Sequence, residues 1–374
     1  MNLFDVYTLW DIEPIKASGY KIWDVNGKEY LDFYGGHAVI SIGHSHPIYK
    51  EMLKEQIDNI GFYSNAVINS LQKDFAERLG KICGYIDYSL FLCNSGAEAN
   101  ENAMKIASFH TGRKKILAVE KSFHGRTSGA VEATDNDKIK SPFNKNGNVV
   151  FTPLNDIEKV RRELFSQQYA AMIIEGIQGV AGIYVPNSNY FKEIESLCKK
   201  NGTLLIIDEI QSGYGRTGKF FAHQNFSVKA DIITMAKGIA NGFPMGAVIL
   251  SPKIKAIKGM LGTTFGGSHL ACTAAIAVLK VIENEHLIEN AAKIGEYIIN
   301  NLNNNKAIKE IRGIGLMIGI ELNEGYENLR ERLLFEKNIF TGGAGKNVIR
   351  LLPPLCVDRY AADTLINAFN DITK

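Results

Sequence analysis

At 374 residues the chain is long enough for one large and one small domain, with a sizeable core. Hydrophobic residues make up 45% of it, an ordinary share for a globular protein. Its 42 basic and 40 acidic side chains leave a formal charge of +2, which gives no ground for a nucleic-acid partner or an anionic membrane.

Five cysteines (Cys83, Cys93, Cys198, Cys272 and Cys356) form an odd set without CxxC spacing, so reduced thiols are expected and a structural zinc is not. The opening MNLFDVYTLWDIEP lacks a basic segment running into an apolar core, so no signal peptide is expected. No apolar run approaches the ~20 residues that span a bilayer. A soluble cytoplasmic protein is the expectation.

Along the chain, GYKIWDVNGKEYLDF (19–33) alternates and is split by Asn26-Gly27, a strong hairpin signal. GGHAVISIGHSHP follows with His37, His44 and His46. Their spacing fits neither HExxH nor a CxxC-type site, no nearby acid completes a set, and a substrate-facing loop is expected rather than a metal. Residues 47–83 read as two amphipathic helices around Tyr63-Ser64-Asn65. SLFLC, then Asn94-Ser95-Gly96-Ala97, then a helix with acids in its first turn describes strand, small-residue turn and helix N-terminus. That arrangement suits an anion, because free N–H groups and the helix dipole point at the ligand, although a plain N-cap by Ser95 explains the segment equally well.

KILAVE (115–120) reads as a strand, and KSFHGRTSGA follows it. Phe123 and His124 offer flat faces for a stacked ring and Arg126 a fork for a carboxylate, against the plainer readings of core packing and a surface charge. YAAMIIEG is a further buried strand ending in Glu175. Helix 188–200 and strand 203–207 complete a βαβ step. The recurrence of apolar run, helix and apolar run through 89–250 predicts an α/β fold with a mainly parallel sheet. Gly213 to Gly218 is a formal GxGxxG, but no helix follows it and Asp231 comes too early for a dinucleotide fingerprint.

LLIIDEIQSGYGRTG (204–218) and DIITMAKGIANGFPMGA (231–247) carry the densest chemistry. Their apolar runs, 204–207 and 232–235, have the length of strands buried on both faces, and each delivers one charge to its carboxyl end: Asp208 and Lys237. Ligands of open α/β sheets bind at that edge. An amine and an acid there can hold the two ends of one cofactor, Lys237 as a Schiff-base lysine and Asp208 as partner of a pyridinium nitrogen. Pyridoxal phosphate requires such a pair. Beyond GAVIL (246–250), GTTFGGS offers Thr263 and Thr264 for a phosphate or substrate, or simply as caps. From about 285 the texture becomes α+β. Arg350 lies in an apolar strand, where a guanidinium either pairs internally or awaits a ligand carboxylate. The expected division is an N-terminal segment 1–45 of a small domain, a large domain 46–260 and a C-terminal small domain 261–374, linked by helix 269–284.

Together, NSGAEA (94–99), FHGRT (123–127), DEIQSGYGRTG (208–218), AKGIANGFPMGA (236–247) and TTFGGS (263–268) resemble the class III, ornithine-type aminotransferases of PLP fold type I, over nearly the whole chain. The resemblance implies pyridoxal 5'-phosphate held by Lys237 and Asp208, with Gln211 on the ring hydroxyl and Phe123, His124 and Ile210 around the ring. Ser95, Gly96 and Ala97 are implied at the phosphate, joined by Thr264 from a second subunit of a homodimer. Arg126 and Arg350 match carboxylate-binding arginines, and Thr263, Glu175 and His37 fall at substrate positions. The implied reaction moves the distal amine of an N-acylornithine, acetyl or succinyl, to 2-oxoglutarate, giving a semialdehyde and glutamate, in arginine biosynthesis. Ornithine, 4-aminobutyrate and diaminobutyrate are the alternative donors. A nicotinamide dehydrogenase and a non-catalytic binding protein of the same fold are the alternatives from other classes. The chain departs from the family pattern at Val180, where EGIQGVAG replaces EPxQGEGG and the acid facing Arg350 is lost, and at His37.

Overall fold

A computed structural model describes residues 1–374. Three sheets organise the chain. The first joins the strands β1 (Pro14–Ser18), β2 (Lys21–Asp24) and β3 (Glu29–Asp32) to β13 (Ile339–Phe340), in the order β1-β2-β3-β13. The Asn26-Gly27 signal does mark the turn between β2 and β3. β1, too polar to stand out in PIKAS, adds to that hairpin on the other side of β2. A single turn, α1 (Gly35–Ala38), and helices α2 (Pro47–Asn59) and α3 (Ser70–Cys83) lead to the large sheet.

That sheet has seven strands: β4 (Ser89–Cys93), β5 (Lys115–Val119), β6 (Val149–Thr152), β7 (Tyr169–Glu175), β8 (Leu204–Asp208), β9 (Ile232–Met235) and β10 (Gly246–Leu250). Their spatial order is β4-β10-β9-β8-β7-β5-β6. Strands β6, β5, β7, β8 and β9 run parallel, and β10 is antiparallel to both its neighbours. The mainly parallel expectation holds, with β10 as the exception. β10 follows β9 after a short connection, which leaves no room for the helical crossover that a parallel neighbour needs.

Helices α4 (Gly96–Thr111), α5 (Ser128–Glu132), α6 (Ile157–Phe165) and α7 (Ser188–Asn201) punctuate the strands. Alternate strand residues feed opposite faces, as the period of two dictates. Met172 and Ile174 of β7 join a core with Phe75, Leu79, Ile276 and Val278. Ala171 and Ile173 instead join Ala99, Ala103 and Ala107 of α4. The α4 side is built largely from alanine, so this helix lies close to the sheet and its first turns reach the carboxyl edge.

After β10, helix α8 (His269–Asn284) packs on α2 and α3, with Ser268 Oγ capping it by accepting from Ala271 N. Helix α9 (Leu287–Leu302), the antiparallel sheet β11-β12-β15-β14, helix α10 (Leu329–Lys337) and helix α11 (Arg359–Ile372) complete the chain. In that sheet β11 is Ile308–Ile314, β12 Met317–Leu322, β14 Gly342–Ala344 and β15 Val348–Leu351. β11 escapes sequence reading because IKEIRGI is half-exposed throughout, which blurs its alternation. No helix is long and apolar enough to cross a membrane.

Gly246 ties the fold to the small-residue turn before α4. A Cβ at this first residue of β10 would stand 2.4 Å from the Ser95 carbonyl oxygen, which is backbone and cannot swing away. Gly246→Ala is therefore expected to cost about 1–3 kcal/mol through overpacking. Equilibrium urea unfolding should show a lower midpoint at unchanged slope, and a midpoint equal to the parent's would contradict this account.

Candidate active site

The β8 and β9 strands end side by side, with Asp208 in register with Thr234. Their carboxyl ends open on a cavity of about 350 Å³ lined by Ser95, Gly96, Phe123, Asp208, Gln211 and Lys237 among others. Asp208 is 4% exposed. Its Oδ2 accepts from His124 Nδ1 at 2.7 Å and from Asn100 Nδ2 at 2.8 Å, and its Oδ1 accepts from Ile210 N at 3.0 Å. Three donors thus satisfy most of the hydrogen-bonding capacity of this buried carboxyl group.

Lys237 opens a 3₁₀ turn directly after β9, and its backbone is left-handed with φ 49°. It forms no ion pair, although Asp208 lines the same cavity. Burial pushes its amine below the ordinary lysine value, against the pull of the Asp208 and Glu175 charges. Arg350 and Arg216 push in the same direction as burial. An amine so placed supplies more of the neutral, nucleophilic form than a solvated lysine.

On the opposite wall, Ser95 caps α4 by accepting from Glu98 N at 3.1 Å, and Glu98 Oε2 accepts from Asn94 N at 2.7 Å. The hydroxyl accepts as a cap, and Ser95 also lines the cavity, so its O–H remains available as a donor. The Gly96 and Ala97 N–H groups lie in the first turn, where no helical carbonyl can reach them, and both residues line the cavity. Ile210 packs against the glycine: a Cβ at Gly96 would be 2.9 Å from Ile210 Cδ1.

Glu175 ends β7 and accepts from Phe123 N at 3.1 Å and Gly179 N at 2.9 Å. Burial pushes its carboxyl up to about 7, with His124 opposing and Asp208 reinforcing the rise. Gln211 donates through Nε2 to the His37 carbonyl at 3.1 Å, while its Oε1 is buried without a partner. Arg350 is 5% exposed and reaches only backbone, donating to Gly343 O at 3.0 Å and Gly179 O at 3.2 Å. No carboxylate pairs with it internally.

The other sequence candidates scatter. His124 is buried, lines the cavity and donates from Nδ1 to Asp208. Phe123 lines the cavity half-buried. Arg126 and Thr264 are exposed and lie outside the cavity wall. Thr263 Oγ1 accepts from Asn94 Nδ2 at 3.1 Å, one residue removed from the cavity. His37 is exposed on α1, a left-handed turn in which Gly35, Gly36, His37 and Ala38 all have φ between 54° and 67°. Its Nδ1 is hydrogen-bonded to Tyr34 OH. Val180 is 43% exposed and forms part of the wall.

The histidines of the glycine-rich loop do not converge on one another. His44 Nε2 meets Asp32 Oδ2 and His46 Nε2 meets Glu285 Oε1, each at 2.8 Å, so acids do stand nearby but one at each ring. The GxGxxG segment is a turn that buries Arg216, whose NH1 donates to Leu316 O at 3.1 Å and Pro353 O at 2.9 Å. Sequence reasoning missed Asn100, Thr234 and the buried chain in which His223 bridges Glu209 and Tyr85 at 2.7 Å on each side. Asn100 carried a readable signal: it lies four residues after Gly96, on the same face of α4 as the end that meets the cavity.

The family profile for aminotransferase class-III matches residues 7–373. The acetylornithine aminotransferase of Bacillus cereus is 42% identical over 363 residues, covering 95% of this chain and 93% of that protein. Its counterpart from Archaeoglobus fulgidus is 39% identical over 368 residues, covering 98% and 96%. Among solved structures, the ornithine aminotransferase of Toxoplasma gondii superposes with a TM-score of 0.93 at 28% identity, covering 99% of this chain and 93% of that one. The acetylornithine aminotransferase of Elizabethkingia anophelis gives 0.86 at 30%, covering 99% and 95%. With near-complete coverage in sequence and in structure, the chain belongs to the class-III aminotransferases and is a pyridoxal-phosphate-dependent transaminase.

Proposed function

We propose that this enzyme moves the distal amine of an N-acylornithine to 2-oxoglutarate, and that Lys237 and Asp208 hold the two ends of its cofactor. The observation that carries the site assignment is their meeting across one cavity without pairing with each other. The residues present fit the group: an unpaired buried amine, a carboxylate with an open position, an orphaned Gln211 Oε1 and helix N–H groups at the far wall. The acyl donor is supported by relatives near 40% identity that are named acetylornithine aminotransferases.

In this reading Gly96 and Ala97 present backbone N–H groups to the phosphate at the positive end of α4. Gln211 meets the ring hydroxyl, Phe123 packs on the ring, and Asp208 keeps the ring nitrogen protonated. When bound, the cofactor supplies an electron sink for negative charge on the substrate carbon. Lys237 would hold the cofactor through its amine, and that amine is the group in the cavity placed to take a proton from the substrate carbon and to give it back. Arg350, buried without a carboxylate, receives one from the oxo-acid. Arg126 and Thr263 stand further out as donor and acceptor contacts, and His37 and Val180 shape the rim. Burial pushes the Glu175 carboxyl up, which weakens its pull on the Arg350 charge.

The exposed positions of Thr264 and Arg126 and apolar rings at the surface support a homodimer. Phe62 and Phe265 pack with ring centroids 5.4 Å apart, tilted by 51°, and are 43% and 62% exposed. A second copy burying these rings would bring Thr264 to its phosphate.

Lys237→Ala should cut turnover about 10⁴-fold or more and remove the borohydride-reducible adduct. A variant that keeps either would end the assignment. A matched assay of N-acetylornithine, N-succinylornithine and free ornithine with 2-oxoglutarate should favour an acylated donor. His37→Ala should change the ratio of kcat/KM between the two acyl donors about tenfold, which corresponds to about 1.4 kcal/mol. A free-ornithine preference would refute the donor reading, and an unchanged ratio the role of His37. Sedimentation should give a dimer; a fully active monomer would rule out the shared site.

A further inference from the structure

We infer that Asn100 is a positioning residue for Asp208: it fixes the direction in which the carboxylate presents its free lone pair to the cofactor ring. The inference rests on the assignment of Asp208 to that ring. Asn100 is completely buried in α4, a place where a primary amide is costly unless all its hydrogen-bonding groups are used. They are used. Nδ2 donates to Asp208 Oδ2 and to the His124 carbonyl, both at 2.8 Å, and Oδ1 accepts from Thr234 Oγ1 at 2.7 Å.

The orientation of this amide follows from its neighbours. Turned over, its oxygen would face the Asp208 carboxylate and the His124 carbonyl, two acceptors, with no proton between them. The Thr234 hydroxyl supplies the one donor that marks which side carries the oxygen. Thr234 lies in register with Asp208 on the adjacent strand, so the threonine, the amide and the carboxylate form a closed unit across β9, α4 and β8.

The result at Asp208 is specific. A carboxylate has about four lone-pair positions. Two donors on Oδ2 and Ile210 N on Oδ1 fill three of them and leave one, on Oδ1, open. Without Asn100, only His124 would hold Oδ2, and the carboxylate could rotate about its own bond. The titratable groups around it are His124, Glu175 and Lys237, and none of them can replace the lost donor: His124 is already engaged, Glu175 is an acid, and Lys237 lies across the cavity.

The test uses the holoenzyme and four variants: Asn100→Ala, Thr234→Val, Thr234→Ser and Asp208→Asn. Thr234→Val keeps shape while removing the hydroxyl, and covers the case in which Asn100→Ala fails to fold. The readouts are the pH titration of the bound cofactor's visible absorbance without substrate, cofactor retention on dialysis, and steady-state kinetics. Asn100→Ala and Thr234→Val should shift the titration and weaken retention. They should also lower kcat about 10–100-fold, the range seen when a partner behind an active-site ligand is removed, with donor KM changed less than about twofold. Thr234→Ser should behave as the parent. A folded Thr234→Val that titrates and turns over like the parent overturns the inference, and so do equal losses in the Val and Ser variants. Asp208→Asn separates the two levels. If its titration is also unmoved, the assignment of Asp208 falls and takes this inference with it. If it shifts while Asn100→Ala and Thr234→Val do not, only the role of Asn100 is refuted. Because no amino donor enters the absorbance titration, a wrong substrate assignment leaves its outcome intact.

Discussion

A carboxylate buried at the end of β8 is the constraint to which the rest of the structure answers. A carboxyl group at 4% exposure is tolerable only with its oxygens satisfied, and the chain commits three separate elements to that end. His124 comes from the loop after β5, Asn100 from the second turn of α4, and Ile210 N from the chain just beyond Asp208 itself. Each of those elements must be held against the sheet for the donors to stay in place. The alanine stripe of α4, the parallel run from β6 to β9 and the tight turn after Asp208 all serve that requirement.

Charge in the neighbouring space is arranged by contrast. Arg350 is buried with only carbonyl oxygens for partners, Lys237 is half-buried with no partner, and burial pushes the Glu175 carboxyl up. The cavity wall and the strand beside it therefore carry two cations without a carboxylate partner, an excess of positive charge around the well-satisfied Asp208. Val180 contributes to the excess, since an acid at that point would stand on the wall near Arg350. A small anion with a carboxylate is the ligand such a field favours.

Much of this was legible in the sequence, and for identifiable reasons. LLIID and IITM announce buried parallel strands because short, mainly apolar runs precede the charges of Asp208 and Lys237, and NSGA before a good helix former announces a helix N-terminus facing a ligand. The motif resemblance then supplied the cofactor. Less legible was whatever depends on which way a side chain points. His124 reads as a flat ring for stacking, yet its imidazole is turned to Asp208. Arg126 reads as a carboxylate fork, yet in a single chain it faces solvent. Asn100 sits inside a recognised motif, but a polar residue on a helix is usually solvated, and only the packing of α4 shows otherwise. β11 and β1 were hidden by half-exposed, polar strands whose alternation is weak.

The same helix meets the cavity twice. Gly96, at its very end, forms part of the wall where an anionic group would rest, and Asn100 holds the acid at the other extremity. Four residues, about 6 Å of helical rise, separate them. That interval is set by peptide geometry and not by any loop, so it does not breathe with side-chain motion. In effect α4 is a ruler laid along the floor of the pocket, and it gauges the length of whatever is bound there.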